Sequence, residues 1–204
     1  MNLPNKITTF RMVCVVIIVF LLCFPWAACG VNMPMMFNGL TLEYLISFVL
    51  FIVASFSDFL DGYIARKYNL VTTYGKFMDP IADKLLVDSL FIILCRDYPT
   101  LVIVAVIMIA RDLVVDAVKL IAAGKNKIVA ANMWGKAKTV AQMVALSFVL
   151  FGDWPFSYFD GPIASHGFSV SIILCYLAGV LSLMSMIVYI YQNREVFKDD
   201  KEEK

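Results

Sequence analysis

The chain has 204 residues, is 61% hydrophobic, and carries a mean hydropathy of +0.82 and a net charge of +1. Soluble domains are about 45–50% apolar, so the composition excludes an ordinary water-soluble globule and implies an all-α integral membrane protein that crosses the bilayer several times. The charge balance gives no reason to expect a nucleic-acid partner, and five cysteines (Cys14, Cys23, Cys29, Cys95 and Cys175) show no metal-ligand spacing.

The opening segment, NLPNKITTFR from Asn2 to Arg11, reads as a short interfacial stretch. Pro4 and Asn5 suggest a turn, and Thr8 or Thr9 offers a helix cap. Asn5, Thr8 and Arg11 either cap and anchor the first span or line the rim of a site. The first apolar run, 12–30, follows. It ends in Trp26-Ala27-Ala28-Cys29-Gly30, a weak match to a cleavage site, and is expected to remain as an uncleaved first helix. Further spans are expected at 42–65, 81–97, 99–121, 138–152 and 169–191, six in all, each near the length needed to cross the hydrocarbon core.

Between the second and third spans lies SDFLDGYIARKYNLVTTYGKFMDPIADK, residues 57–84. It holds four aspartates in the pattern D-x2-D-G-x2-A-R-x8-G-x3-D-x3-D: Asp58, Asp61, Asp79 and Asp83. On helices, Asp58 and Asp61 share a face, and so do Asp79 and Asp83. The polar stretch Lys67–Tyr74 would turn the second pair back beside the first. An ionised Asp at a helix centre costs roughly 2.5–3.5 kcal/mol on insertion scales. Four of them need neutralising, and hard divalent cations with oxygen ligands do that well.

The fourth span contains Arg111-Asp112, with Asp116 and Lys119 beyond. An arginine there must face protein or water rather than lipid. It forms either a buried ion pair or a phosphate site, since a guanidinium fork matches phosphate oxygens. The fifth span opens on Gly135-Lys136-Ala137-Lys138-Thr139, with Gln142 following. Lys136 and Lys138 are either cytoplasmic anchors touching lipid phosphates or an anion site. The loop 151–168, which holds the lone His166, offers no usable motif. The tail 198–204, KDDKEEK, follows a membrane domain over 1–197 and has a disordered composition.

Basic residues cluster before the first span, between the second and third, between the fourth and fifth, and after the sixth. Segments 31–41 and 152–168 have no Lys or Arg. The positive-inside rule therefore puts both termini and the aspartates on the cytoplasmic side. A cation pathway would also gather intramembrane carboxylates, but all four lie toward one face, with Glu43 the nearest acid elsewhere.

The aspartate pattern resembles, at every fixed position, the signature of the CDP-alcohol phosphatidyltransferases, integral membrane enzymes that join a CDP-activated lipid to an alcohol. The L-P-N-x-I-T-x-x-R opening and the G-K-x-K-T run are similar to the branch of that family whose acceptor is sn-glycerol 3-phosphate. The resemblance implies CDP-diacylglycerol as the donor and two divalent cations, Mg²⁺ or alternatively Mn²⁺, on Asp58, Asp61, Asp79 and Asp83. It further implies Asp83 as the catalytic base, with Asp58, Gly62, Ala65, Arg66 and Gly75 around the CDP moiety. Thr8, Arg11, Arg111, Lys136 and Lys138 would receive the acceptor's phosphate. The resemblance also implies a homodimer. Alternative acceptors within the family remain open: phosphatidylglycerol, inositol phosphate or serine.

Overall fold

The computed structural model describes residues 3–37, 40–68, 72–125, 133–156 and 169–197, without the side chains at 3, 4, 37, 59, 61, 63–66, 73 and 76. Six helices dominate: α1 (Leu3–Cys23), α2 (Leu42–Lys67), α3 (Thr73–Asp97), α4 (Val102–Gly124), α5 (Met133–Leu150) and α6 (Val170–Gln192). The only strands among the described residues are β1 (Met35–Phe37) and β2 (Leu40–Thr41), a short antiparallel ribbon with Met35 opposite Thr41. It occupies the segment 31–41, where the sequence suggested only a loop.

The polarity of the bundle is that of a membrane protein. Along α1, Val13, Val16, Ile17 and Phe20 form an exposed apolar stripe at helical spacing. Ile173, Leu177, Val180 and Ile187 do the same on α6. Outward apolar faces of this extent are stable in lipid and not in water. Among the described residues, two helices qualify as membrane spans by length and apolarity alone, Asn5–Cys23 and Val170–Gln192. α3 and α4 carry several charged residues within their apolar runs. The 26 residues of α2 reach roughly 39 Å, against about 30 Å of hydrocarbon.

The expected turn at Pro4–Asn5 is absent, as is the cap at Thr8 or Thr9: α1 is helical from Leu3, and Thr8 lies inside it. The side chains there are bonded across to other helices, which favours helix over turn. The third helix also starts earlier than 81, at Thr73, and passes through Pro80. Its cap is Thr72, whose hydroxyl accepts the Gly75 amide at 3.0 Å. A proline inside a helix gives up one backbone bond, and here it stands between Asp79 and Asp83.

Packing follows two groups. α1 lies against both α2 and α3, while α5 and α4 both pack on α6. α2 and α3 touch each other little and are joined mainly through α1. The core runs through both groups: Phe51 and Ala54 of α2, Leu86, Leu90 and Leu94 of α3, Met108 of α4, Leu146 and Leu150 of α5, and Cys175 and Ala178 of α6. Leu86, Leu90 and Leu94 recur every fourth residue and bury one face of α3. The five cysteines are unbridged, with Cys14 and Cys175 in the core. Past α5, Gly152 and Asp153 adopt left-handed backbone, and Asp153 Oδ1 accepts the Ser171 amide at 2.8 Å. That contact ties the end of α5 to the start of α6. The expectations for 157–168, including His166, and for the tail 198–204 lie outside the described residues.

Candidate active site

One face of α1 gathers the aspartates. Asn5, Thr8 and Arg11 are three residues apart in turn and so lie along one side of the helix. Thr8 Oγ1 donates to Asp79 Oδ1 at 2.7 Å. Arg11 Nη1 bonds Asp58 Oδ1 at 2.8 Å, and the same nitrogen bonds Asp83. Asn5 Oδ1 accepts from Thr72 Oγ1 at 2.7 Å, the residue that caps α3. Thus Asp58 of α2 and Asp83 of α3 meet on one atom of α1, within roughly 6 Å of each other. The Arg11 side chain is 0% exposed, so its charge is balanced by these carboxylates rather than by water.

The donor set suits a hard cation. Asp58, Asp79 and Asp83 offer oxygen only, the preference of Mg²⁺ or Mn²⁺, and Asp58 and Asp83 already share one cationic group, Arg11. Among the described residues no three acidic, histidine or cysteine side chains converge on a single point. Asp58 and Asp83 meet at Arg11, while Asp79 is held at Thr8. Asp61 is one turn after Asp58 on the same helix face, but its side chain is outside the described set, as are those of Ala65 and Arg66. Gly62 lies on the same stretch of α2. Gly75 is buried, and a Cβ there would stand 3.3 Å from Thr72 Oγ1, 3.5 Å from Asn5 Oδ1 and 3.7 Å from Asp79 Oδ2. The glycine therefore lets the polar stripe of α1 and the Asp79 carboxylate approach the α3 backbone.

A second polar cluster joins α4, α5 and α6. Lys138 is 3% exposed, and its ammonium donates to both oxygens of Asp112, at 2.7 and 2.9 Å. Arg111 Nη1 donates to Asp112 Oδ1 at 2.8 Å, and its Nη2 to Ser185 Oγ of α6 at 2.9 Å. Gly135 makes room for it: a Cβ there would lie 3.2 Å from Arg111 Nη2. Asp88 of α3 interacts electrostatically with Asp112 and Lys138. Asp88 is five residues past Asp83, roughly 7.5 Å along the helix, so α3 connects the two clusters. Lys84, next to Asp83, pairs with Asp116 of α4.

The expected residues therefore separate into two sets. Thr8 and Arg11 bond the aspartates of α2 and α3. Arg111 and Lys138 come together on Asp112, while Lys136 is exposed on the outer face of α5. Sequence reading offered Asp112 as the partner of Arg111 in a buried ion pair, not as a partner of Lys138, and it passed over Ser185. A carboxylate inside an apolar run was the available signal for the first, whereas a lone serine in α6 carried none. At the opposite end of the bundle, a cavity of about 340 Å³ is lined by residues including Tyr44, Asp97, Tyr98 and Asp153. Its acids are engaged, Asp97 with Arg96 and Tyr44 and Asp153 with Ser171.

The family model described as CDP-alcohol phosphatidyltransferase matches residues 1–191. A CDP-diacylglycerol--glycerol-3-phosphate 3-phosphatidyltransferase of Bacillus subtilis (strain 168) is 39% identical over 180 residues, covering 87% of this chain and 91% of the relative. A protein of the same name from Salmonella choleraesuis (strain SC-B67) is 33% identical, covering 93% of each chain. Another from Mycoplasma genitalium is 37% identical, covering 78% of this chain and 70% of the relative. The matched region contains both the acidic centre and the Arg111–Asp112–Lys138 cluster, and the chain belongs to the CDP-alcohol phosphatidyltransferase family.

Proposed function

We propose that this membrane transferase moves the phosphatidyl group of CDP-diacylglycerol to the 1-hydroxyl of sn-glycerol 3-phosphate, giving phosphatidylglycerophosphate and CMP. The observation that carries the assignment of a phosphate-bearing acceptor is the inward-facing pair of cations, buried Lys138 and largely covered Arg111, one helix away from the acidic centre. An acceptor with its own phosphate requires such cations, and an uncharged alcohol does not. The names of the relatives point the same way.

In this reading Asp58, Asp61, Asp79 and Asp83 hold two divalent cations, Mg²⁺ or alternatively Mn²⁺. When bound, these neutralise the pyrophosphate and the departing CMP. Asp83 takes the proton of the acceptor hydroxyl. The hydroxyl oxygen bonds to the β-phosphorus as the bond from that phosphorus to the CMP oxygen breaks. Gly62, Ala65, Arg66 and Gly75 border the CDP moiety. Arg11 and Thr8 fix the carboxylates that do this work. The lipid tails remain in the bilayer, which accounts for a transferase built from apolar helices. All six helices are taken to cross the cell membrane, with both termini and the acidic centre toward the cytoplasm, on the evidence of the basic loops. The membrane domain covers 1–197, and the enzyme is taken to work as a homodimer.

Two results test this reading. Purified enzyme with CDP-diacylglycerol and Mg²⁺ is expected to release CMP with glycerol 3-phosphate, and not with serine, inositol phosphate or phosphatidylglycerol. No release with glycerol 3-phosphate overturns the assignment. Lys138→Ala is expected to raise KM for glycerol 3-phosphate about tenfold to a hundredfold, the loss of a charge-assisted bond, with a smaller rise for the exposed Lys136→Ala. Equal increases in KM for both substrates would instead assign the lysines to membrane anchoring.

A further inference from the structure

We infer that Asp112 is a positioning residue for a phosphate monoester, its one carboxylate fixing Lys138 of α5 and Arg111 of α4 as a preset pair of cations. The role follows only if the acceptor carries a phosphate, as proposed above.

Three observations support it. First, Lys138 is turned inward. A lysine near a helix end in a membrane ordinarily extends its ammonium to the interface, as the exposed Lys136 two residues earlier does. Lys138 instead lies buried on both oxygens of Asp112. Second, Arg111 is restrained at two points, Nη1 on Asp112 and Nη2 on Ser185, with glycine behind it at 135. Two-point restraint fixes the plane of a guanidinium, which is what bidentate phosphate recognition requires.

Third, donors are left over. Arg111 Nε is buried without a partner, and so is Nε2 of Gln142, itself 2% exposed and one turn beyond Lys138 on the same face of α5. An ammonium has three N–H donors, and two of those on Lys138 are taken by Asp112. A pair that served only to join helices would be closed by its own carboxylate. On Arg111, Lys138 and Gln142 the surplus consists of donors, and a phosphate supplies acceptors alone. Asp112 thus holds the cations in place without exhausting them. Asp88 of α3 adds negative charge on the side nearest the acidic centre, so an anion is received on the α4–α5 side.

The test compares Asp112→Asn and Asp112→Glu in the full-length enzyme, with KM measured separately for both substrates. Turnover of the wild type with glycerol 3-phosphate is the control for the reaction itself. If the wild type uses only phosphate-free acceptors, the functional reading fails and Asp112 has no phosphate to position. With that control met, Asp112→Asn is expected to raise KM for glycerol 3-phosphate about tenfold or more, to leave KM for CDP-diacylglycerol within about twofold, and to be largely rescued in Asp112→Glu. Inorganic phosphate should also inhibit Asp112→Asn less than wild type. Ser185→Ala, which releases only the Nη2 end of Arg111, gives the same split on a smaller scale and remains informative should Asp112→Asn not fold. A parallel rise in both KM values, or a lower unfolding midpoint with unchanged KM, would make Asp112 a helix-joining residue and overturn the inference.

Discussion

Asp83→Asn is expected to lower kcat by about a hundredfold to ten-thousandfold, the range over which a positioned general base acts. Asparagine keeps an oxygen that accepts from Arg11 and so preserves the contact between α1 and α3. It cannot take a proton from a hydroxyl. Binding of CDP-diacylglycerol is therefore retained while CMP release in a single turnover fails. Asp79→Asn should differ. Its carboxylate is bonded to Thr8 rather than Arg11, and its loss is expected to weaken divalent-cation binding more than Asp83→Asn does, with turnover lost as a consequence. Near-normal activity in Asp83→Asn would remove it as the base.

Arg11→Ala is the second large effect, and it is expected to be chiefly one of stability. The side chain is fully buried and touches two carboxylates on two helices. Breaking a fully buried pair costs roughly 3–5 kcal/mol. Asp58 and Asp83 are 35% and 43% exposed, and water screens what is left behind. A loss of about 1–3 kcal/mol follows after that discount. Because α2 and α3 meet mainly through α1, the loss also loosens the acidic centre. The unfolding midpoint of the variant in detergent should fall, and should then rise more steeply with added Mg²⁺ than that of wild type, since a cation bound between the carboxylates replaces the missing charge. An Mg²⁺ response identical to wild type would mean that Arg11 and the cation do not share those carboxylates.

The aspartate spacing was legible because it is local. Residues three and four apart on a helix share a face whatever the rest of the fold does, so Asp79 and Asp83 could be paired on sequence alone. The membrane class was equally legible, since an excess of apolar residues has nowhere else to go. Thr8 and Arg11 were less so. As residues of a basic opening segment they fit a cap or an anchor, and nothing local records that Asp79 lies 71 positions away and within reach of a hydroxyl. The first turns of α3, from the Thr72 cap to Asp79, are polar and so lie outside a span read from apolarity alone.

The sequence by itself determined the chemistry available: four carboxylates at fixed spacing, the basic residues Arg11, Arg111, Lys136 and Lys138 in or beside apolar spans, and a chain built for lipid. These follow from composition and helical periodicity, which act over a few residues. Only the tertiary structure decided which charges face each other. It set Arg11 against Asp58 and Asp83, and Lys138 and Arg111 against Asp112, dividing one list of cations between two clusters. The physical reason is that a buried charge is fixed by the opposite charge packed against it, and in this bundle most of those partners come from another helix.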